Sequence, residues 1–84
     1  MLPAIAILLA ATIQLGDRSY IVHVPPNASG PLPVVINFHG GGSNGEQQER
    51  FSGMDAVADR EHFIVVYPNG TGRAGFLVWN AGTC

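Results

Sequence analysis

The chain has no lysine, and its only strongly basic side chains are four arginines among 84 residues. Six acidic residues give a formal net charge of -2. Nucleic-acid binding depends largely on Lys and Arg side chains that neutralise phosphates. The composition therefore argues against a nucleic acid as partner, and equally against electrostatic attachment to an anionic membrane.

Cysteine and charge are also scarce. The single cysteine, Cys84, is the last residue, so it cannot form a disulfide within the chain. Charged residues make up 12% of the sequence, where about a quarter is ordinary for a globular domain, and 46% of the residues are hydrophobic. This composition is too apolar for a disordered tail and indicates a small domain, or part of a larger one, whose surface is covered by a partner.

No apolar run is long enough to cross a bilayer. The longest, residues 2–11, has the length of a signal-peptide core, and small residues at its end would suit cleavage. It lacks a preceding Lys or Arg and contains Pro3, so an apolar strand is the alternative. We expect residues 1–11 to be a signal-peptide remnant or an apolar tail, the protein to be secreted or periplasmic, and no stable membrane span to form.

Two strands joined by a tight turn are expected next. Residues 12–15 and 19–24 alternate in polarity around Gly16-Asp17, which predicts a β-hairpin. His23 lies on one face of the second strand, where we expect a half-exposed residue without a chemical role.

A strand, a helical region and a second strand follow. Residues 34–38 and 63–67 are apolar runs typical of parallel strands buried on both faces. Gly53 is expected to divide the intervening helix into two pieces. The apolar stripe of that helix would contain Phe51, Met54, Val57 and Ala58. The predicted fold class is α/β, with a β-hairpin followed by a right-handed βαβ unit in a mixed sheet.

The segment HGGGSNG, residues 39–45, directly follows the first parallel strand and matches several functional patterns. Gly40-x-Gly42-x-x-Gly45 has the spacing of a dinucleotide-binding loop. The acidic residue that should bind the ribose is missing after the next strand, where residues 67–69 are uncharged. A non-catalytic nucleotide-binding βαβ module is nevertheless kept as the alternative function.

Two other patterns fit less well. A phosphate-binding P-loop requires Lys and Ser or Thr after Gly45, but Glu46 and Gln47 follow it. Ser43 lies within a literal G-x-S-x-G, the nucleophile-elbow motif. However, Ser43 stands five residues beyond Phe38 instead of at the strand end, and a loop or helix-capping serine explains it better.

The remaining interpretation is an oxyanion-hole loop of the His-Gly-Gly-Gly kind. Glycines there allow two backbone N–H groups to point at one position beyond the strand end. An oxygen that becomes negative in a tetrahedral intermediate is stabilised at that position. The end of the third strand of a mixed sheet is where α/β-hydrolases carry this loop.

Four segments together resemble the N-terminal portion of the polyhydroxybutyrate depolymerase and feruloyl esterase group of α/β-hydrolases. They are SYIVHVP (19–25), LPVVINFHGGG (32–42), ADREHFIVVYPNG (58–70) and WNAGTC (79–84). The resemblance covers residues 12–84 and implies that they form the N-terminal portion of an α/β-hydrolase domain. The implied activity is that of a secreted bacterial serine ester hydrolase acting on a small-molecule or polymeric ester, without a cofactor or metal.

The same resemblance implies roles for individual residues. The backbone of Gly41 would be the main oxyanion donor, helped by Gly40 or Gly42, and His39 would support the loop. Trp79 would lie near the substrate, although an apolar residue packed under a loop is an equal alternative.

The catalytic triad of this group follows the oxyanion loop in the order Ser, Asp or Glu, His, so we expect it beyond Cys84. Neither His39 nor His62 replaces the base. The chain would then need the C-terminal portion of its own domain and be inactive alone; a non-functional truncated product is a further possibility. The family's strand order, 1-2-4-3, would leave residues 34–38 at an unpaired sheet edge.

Overall fold

The computed structural model of the chain describes residues 10–80 and contains a mixed four-stranded sheet with two helices. The elements in chain order are β1 (Ala10–Leu15), β2 (Arg18–His23), β3 (Val34–Ile36), α1 (Gly45–Ser52), α2 (Met54–Glu61), β4 (Ile64–Pro68), β5 (Thr71–Arg73) and β6 (Phe76–Val78). Residues 1–9 and 81–84, which include Cys84, lie outside the described part. Of the predicted tail, Ala10 and Ala11 belong to β1.

The strand order of the main sheet is β1-β2-β4-β3, as expected. β1 and β2 form the predicted antiparallel hairpin, β2 is antiparallel to β4, and β3 is parallel to β4. Because β3 pairs only with β4, it forms an edge of the sheet within residues 10–80. A parallel pair needs a crossover connection, which α1 and α2 provide here.

Local chemistry sets the limits of the helices. Asn44 is the N-cap of α1, and its side-chain oxygen accepts a hydrogen bond from the Gln47 N–H at 2.9 Å. Gly53 adopts a left-handed conformation with φ 64° and divides the helical region, as predicted. His62 ends α2 in the same conformation and donates its N–H to the Ala58 carbonyl. Neither helix in the described residues is long and apolar enough to cross a membrane.

The core lies between one sheet face and the helices. Its buried members are Ile21, Ala58, Val65 and Tyr67, with Met54 and Phe63 packed against them. Phe51 was expected in this stripe, but it is 87% exposed. The expectation was wrong because the helical period was continued through Gly53, whose left-handed backbone puts α1 and α2 out of phase.

The opposite face of the sheet carries apolar side chains without a covering layer in the described residues. Val34 and Ile36 of β3 are 55% and 56% exposed. The sequence predicted a strand buried on both faces, but only Val35, the neighbour of buried Val65, points toward the helices. The apolar pattern of β3 is therefore that of a strand covered on both faces. Within residues 10–80, only the face toward the helices is covered.

Residues 71–78 form a second hairpin that the sequence pattern did not reveal. β5 and β6 pair antiparallel, and Gly75 turns the chain with φ 80°. Three-residue strands are too short to give a readable alternation of polarity. This hairpin packs against the glycine loop described below.

We predict that Gly45→Ala destabilises the fold by about 1–2 kcal/mol. Glycine to alanine at a position with a compatible backbone conformation ordinarily stabilises by about 0.4–1 kcal/mol. Here, however, the added Cβ would lie 2.8 Å from the Tyr67 carbonyl oxygen, where α1 meets β4. Urea denaturation measures the difference, with Gly40→Ala as the control because a Cβ there meets nothing within 4 Å. A stabilised Gly45→Ala would contradict this close approach.

Candidate functional site

A tight turn shapes the glycine loop after β3. The Ser43 N–H donates to the Gly40 carbonyl at 3.1 Å, and Gly42, the third residue of the turn, has φ 83°. This combination is typical of a type II turn, which requires positive φ at its third position. A Cβ on Gly42 would also lie 3.0 Å from the Phe76 ring. Gly42 is therefore a glycine for two independent steric reasons.

The backbone donors of the loop differ in availability. The Gly42 N–H donates to the Leu77 carbonyl at 2.7 Å, and the Leu77 N–H donates to the Ser43 carbonyl at 2.9 Å. Within residues 10–80, the N–H groups of Gly40 and Gly41 have no acceptor, and both residues are exposed. Of the three glycines that the sequence nominated, Gly42 is thus occupied, while Gly40 and Gly41 present free amides.

His39 holds this loop from beneath. The residue is 3% exposed, and its Nε2 accepts a hydrogen bond from the Gly70 N–H at 3.0 Å. Since Nε2 is the acceptor, the proton lies on Nδ1, which donates to the Gly40 carbonyl at 2.7 Å. Both ring nitrogens are therefore used within the protein, and neither is left to act as a base.

Trp79 packs against the same loop. Its indole N–H donates to the His39 carbonyl at 2.8 Å, and the two rings are 4.6 Å apart. The Phe38 ring meets Trp79 edge to face at 5.2 Å. The only polar atom of the Trp79 side chain is thus used by the loop, as expected of a residue packed under it.

Ser43 is not positioned like the serine of a nucleophile elbow. Its hydroxyl donates to the side-chain oxygen of Gln47 at 2.9 Å, and its backbone pairs with Leu77. None of the chain's three histidines is hydrogen-bonded to Ser43 in the described part of the chain. The helix-capping role considered for Ser43 belongs to its neighbour Asn44.

Asn69 occupies the place where a nucleotide phosphate would bind. Its side-chain oxygen accepts the Gly45 N–H at 2.7 Å, at the start of α1, and its amide group donates to the Ser19 hydroxyl. The Gln47 N–H donates to the side chain of Asn44. The Gly45 and Gln47 N–H groups, which could otherwise bind a phosphate at the helix N-terminus, are therefore already satisfied. This arrangement does not favour the nucleotide-binding alternative. From the sequence, Asn69 was only one of the uncharged residues 67–69, because its hydrogen-bond partners are far away in the chain.

A second polar cluster lies under the helices. His23 was expected to be half exposed, but it is 5% exposed. Its Nε2 is 2.7 Å from a carboxylate oxygen of Asp59, and its Nδ1 is 3.5 Å from a carboxylate oxygen of Asp55. The expectation was wrong because the pattern of β2 does not show its distant partners. Asp55 and Asp59, one helical turn apart on α2, face this strand.

Tyr67 and Glu49 complete this cluster. The Tyr67 hydroxyl donates to Asp55 at 2.6 Å, and burial, followed by the hydrogen bond to Asp55, raises the pKa of that hydroxyl well above its ordinary value. Burial, followed by the hydrogen bond and charge of Asp55, raises the pKa of Glu49 to about 7. A ring nitrogen of His23 and one carboxylate oxygen each of Glu49 and Asp55 lie within 4.8 Å of one another. Together with Asp59 and Tyr67, these residues form what we call the polar cluster, in which both ring nitrogens of His23 face carboxylates.

We predict that Trp79→Phe lowers the free energy of unfolding by about 1 kcal/mol, because the His39 carbonyl loses its donor while an aromatic ring remains. The Gly42 amide should also exchange with deuterium faster. Phe51→Leu, at an 87% exposed position, is the control and should change stability by less than about 0.5 kcal/mol. If Trp79→Phe altered neither quantity, the indole would not support the loop.

No family model matches the chain. It is similar to a bifunctional acetylxylan esterase/xylanase, XynS20E, of Neocallimastix patriciarum, with 30% identity over 67 residues. The matched segment is 80% of this chain and 10% of that protein. The chain is thus distantly similar, over most of its own length, to a small part of a protein that carries an esterase activity.

Proposed function

We propose that this chain is part of a serine carboxylic-ester hydrolase and contributes its oxyanion-hole loop. The observation that carries the proposal is the pair of free amides at Gly40 and Gly41, which follow β3 on a loop tied down at Gly42. The distant similarity to an esterase-containing protein supports the same chemistry.

In this proposal the two amides bind the carbonyl oxygen of the ester. Attack by a serine turns that oxygen into an oxyanion, and donors held in place beforehand stabilise it without reorganising. Removing one such donor typically costs about 3 kcal/mol of transition-state stabilisation. The hydrogen bonds of His39 and Trp79 favour this role, because they hold the loop while leaving the Gly40 and Gly41 N–H groups free.

The relative's name contains two activities, and the glycine loop favours the esterase. Glycoside hydrolysis uses a pair of carboxyl groups on either side of the scissile bond. Asp59 is instead hydrogen-bonded to the buried His23, and a carboxylate oxygen of Asp55 lies 3.5 Å from the other ring nitrogen of His23. Free backbone amides on a glycine turn suit an acyl oxyanion instead. Within ester hydrolases, the polyhydroxybutyrate depolymerase and feruloyl esterase group remains our finer proposal, with secretion as its expected location.

The proposal places the nucleophile, acid and base outside residues 10–80. Ser43 donates to Gln47, and His39 and His23 have their ring nitrogens engaged. The uncovered apolar face at Val34 and Ile36 is consistent with further parts of an α/β-hydrolase domain packing there. An α/β-hydrolase fold completed by such parts is part of the proposal.

We predict that the 84-residue chain alone does not accelerate hydrolysis of p-nitrophenyl acetate, and that Ser43→Ala has the same background rate. Release of nitrophenolate measures this directly. Turnover that is blocked by a serine reagent and lost in Ser43→Ala would overturn the proposal and make Ser43 the nucleophile.

We predict that Gly41→Pro, in the longer hydrolase that the proposal requires, lowers kcat roughly 100- to 1000-fold. Proline is favoured at the second position of a type II turn, so this variant removes the Gly41 N–H while keeping the turn. Gly41→Ala is the matched control. It retains the N–H, its Cβ meets nothing within 4 Å, and it should keep most of the activity. Equal activity in the two variants would exclude Gly41 as the donor.

A further inference from the structure

The polar cluster around His23 connects four elements of the fold. His23 lies on β2, Glu49 on α1, Asp55 and Asp59 on α2, and Tyr67 on β4. The Tyr67 hydroxyl and both ring nitrogens of His23 are directed at the carboxylates of α2. The cluster is therefore the polar contact through which both helices meet the buried face of the sheet.

The charges in this cluster do not balance. Three carboxylates, those of Glu49, Asp55 and Asp59, surround one imidazole. The chain has no lysine. In the described residues, Arg50 pairs with Glu46 and Arg60 with Glu61, outside the cluster. Two carboxylates that share a partly buried site repel each other unless one of them holds a proton.

We propose that this cluster is a proton-operated clasp, in which one proton shared by Glu49 and Asp55 holds α1 against α2 and the sheet. Loss of that proton leaves adjacent carboxylates in repulsion and weakens the packing of α1. The clasp stands independently of the ester-hydrolase proposal.

The direction of the pH effect follows from Glu49. Its pKa rises from 4.5 to about 7, through burial first and Asp55 second. The folded state therefore binds this proton more tightly than the unfolded state. The resulting stabilisation is complete below about pH 4.5 and is lost as the pH rises through about 7. The ionisable groups that face Glu49 are Glu46 on α1, Asp55 on α2, His23 on β2 and, through Asp55, Tyr67 on β4.

The test compares the unfolding equilibrium of the 84-residue chain with that of Glu49→Gln between pH 5 and pH 8. In the wild type, the unfolding equilibrium constant, relative to that of Glu49→Gln, should rise about tenfold over this range, since partial exposure of Glu49 reduces the full effect. Glutamine imitates the protonated acid, so the variant should match the wild type at pH 5 and be more stable at pH 8.

Glu61→Gln is the matched control, because it removes an exposed carboxylate that lies outside the cluster, and it should follow the wild-type pH profile. Parallel profiles for the wild type and Glu49→Gln would overturn the clasp. If the variant failed to fold, the carbon-13 signal of the Glu49 carboxyl group in the wild type would decide. A midpoint near 7 supports the clasp, and one near 4.5 overturns it.

A divalent cation would neutralise the same carboxylates in another way. If added Zn²⁺ stabilised the wild type but not Glu49→Gln, the cluster would belong to a cation and the proton-based clasp would be wrong. Equal thermal unfolding of the wild type with and without Zn²⁺, measured at pH 8, supports the clasp.

Discussion

The paired hydrogen bonds of the His39 imidazole are the interaction on which the candidate site depends. One ring nitrogen accepts from Gly70, which follows β4, and the other donates to Gly40 in the loop after β3. A neutral imidazole with its proton on Nδ1 satisfies both partners, and its burial makes an unpaired nitrogen costly. The glycine loop is thus attached to the end of β4 through His39. The N–H groups of Gly40 and Gly41 are not needed for this attachment.

The hairpin β5–β6 completes the restraint from the other side. The Leu77 carbonyl accepts the Gly42 N–H, and the Leu77 N–H donates to the Ser43 carbonyl. The Trp79 indole N–H donates to the His39 carbonyl. A donor that stabilises developing charge is useful only when it is already fixed. The contacts of His39, Leu77 and Trp79 fix the loop from below, and leave Gly40 and Gly41 facing outward.

The rest of the fold is asymmetric about the sheet. The helices cover the face with Ile21, Val65 and Tyr67, and within residues 10–80 nothing covers Val34 and Ile36 on the other face. Polar contacts among His23, Asp55 and Tyr67 lie at the edge of the small covered core. A core of this kind is sensitive to protonation in a way that a purely apolar core is not.

The sequence by itself determined the elements whose causes are local. The turn at Gly16-Asp17, the break at Gly53, the apolar runs of β3 and β4 and the expectation of a glycine loop all follow from residues adjacent in the chain. It also indicated the strand order, through a family resemblance. The tertiary structure decided what depends on distant partners: that Phe51 is exposed, that His23 is buried, that residues 71–78 form a hairpin, and that Leu77 takes the amide of Gly42 but not that of Gly41. The physical reason is that burial and hydrogen bonding each depend on a pair of residues. A local sequence pattern identifies one residue of the pair but not its distant partner.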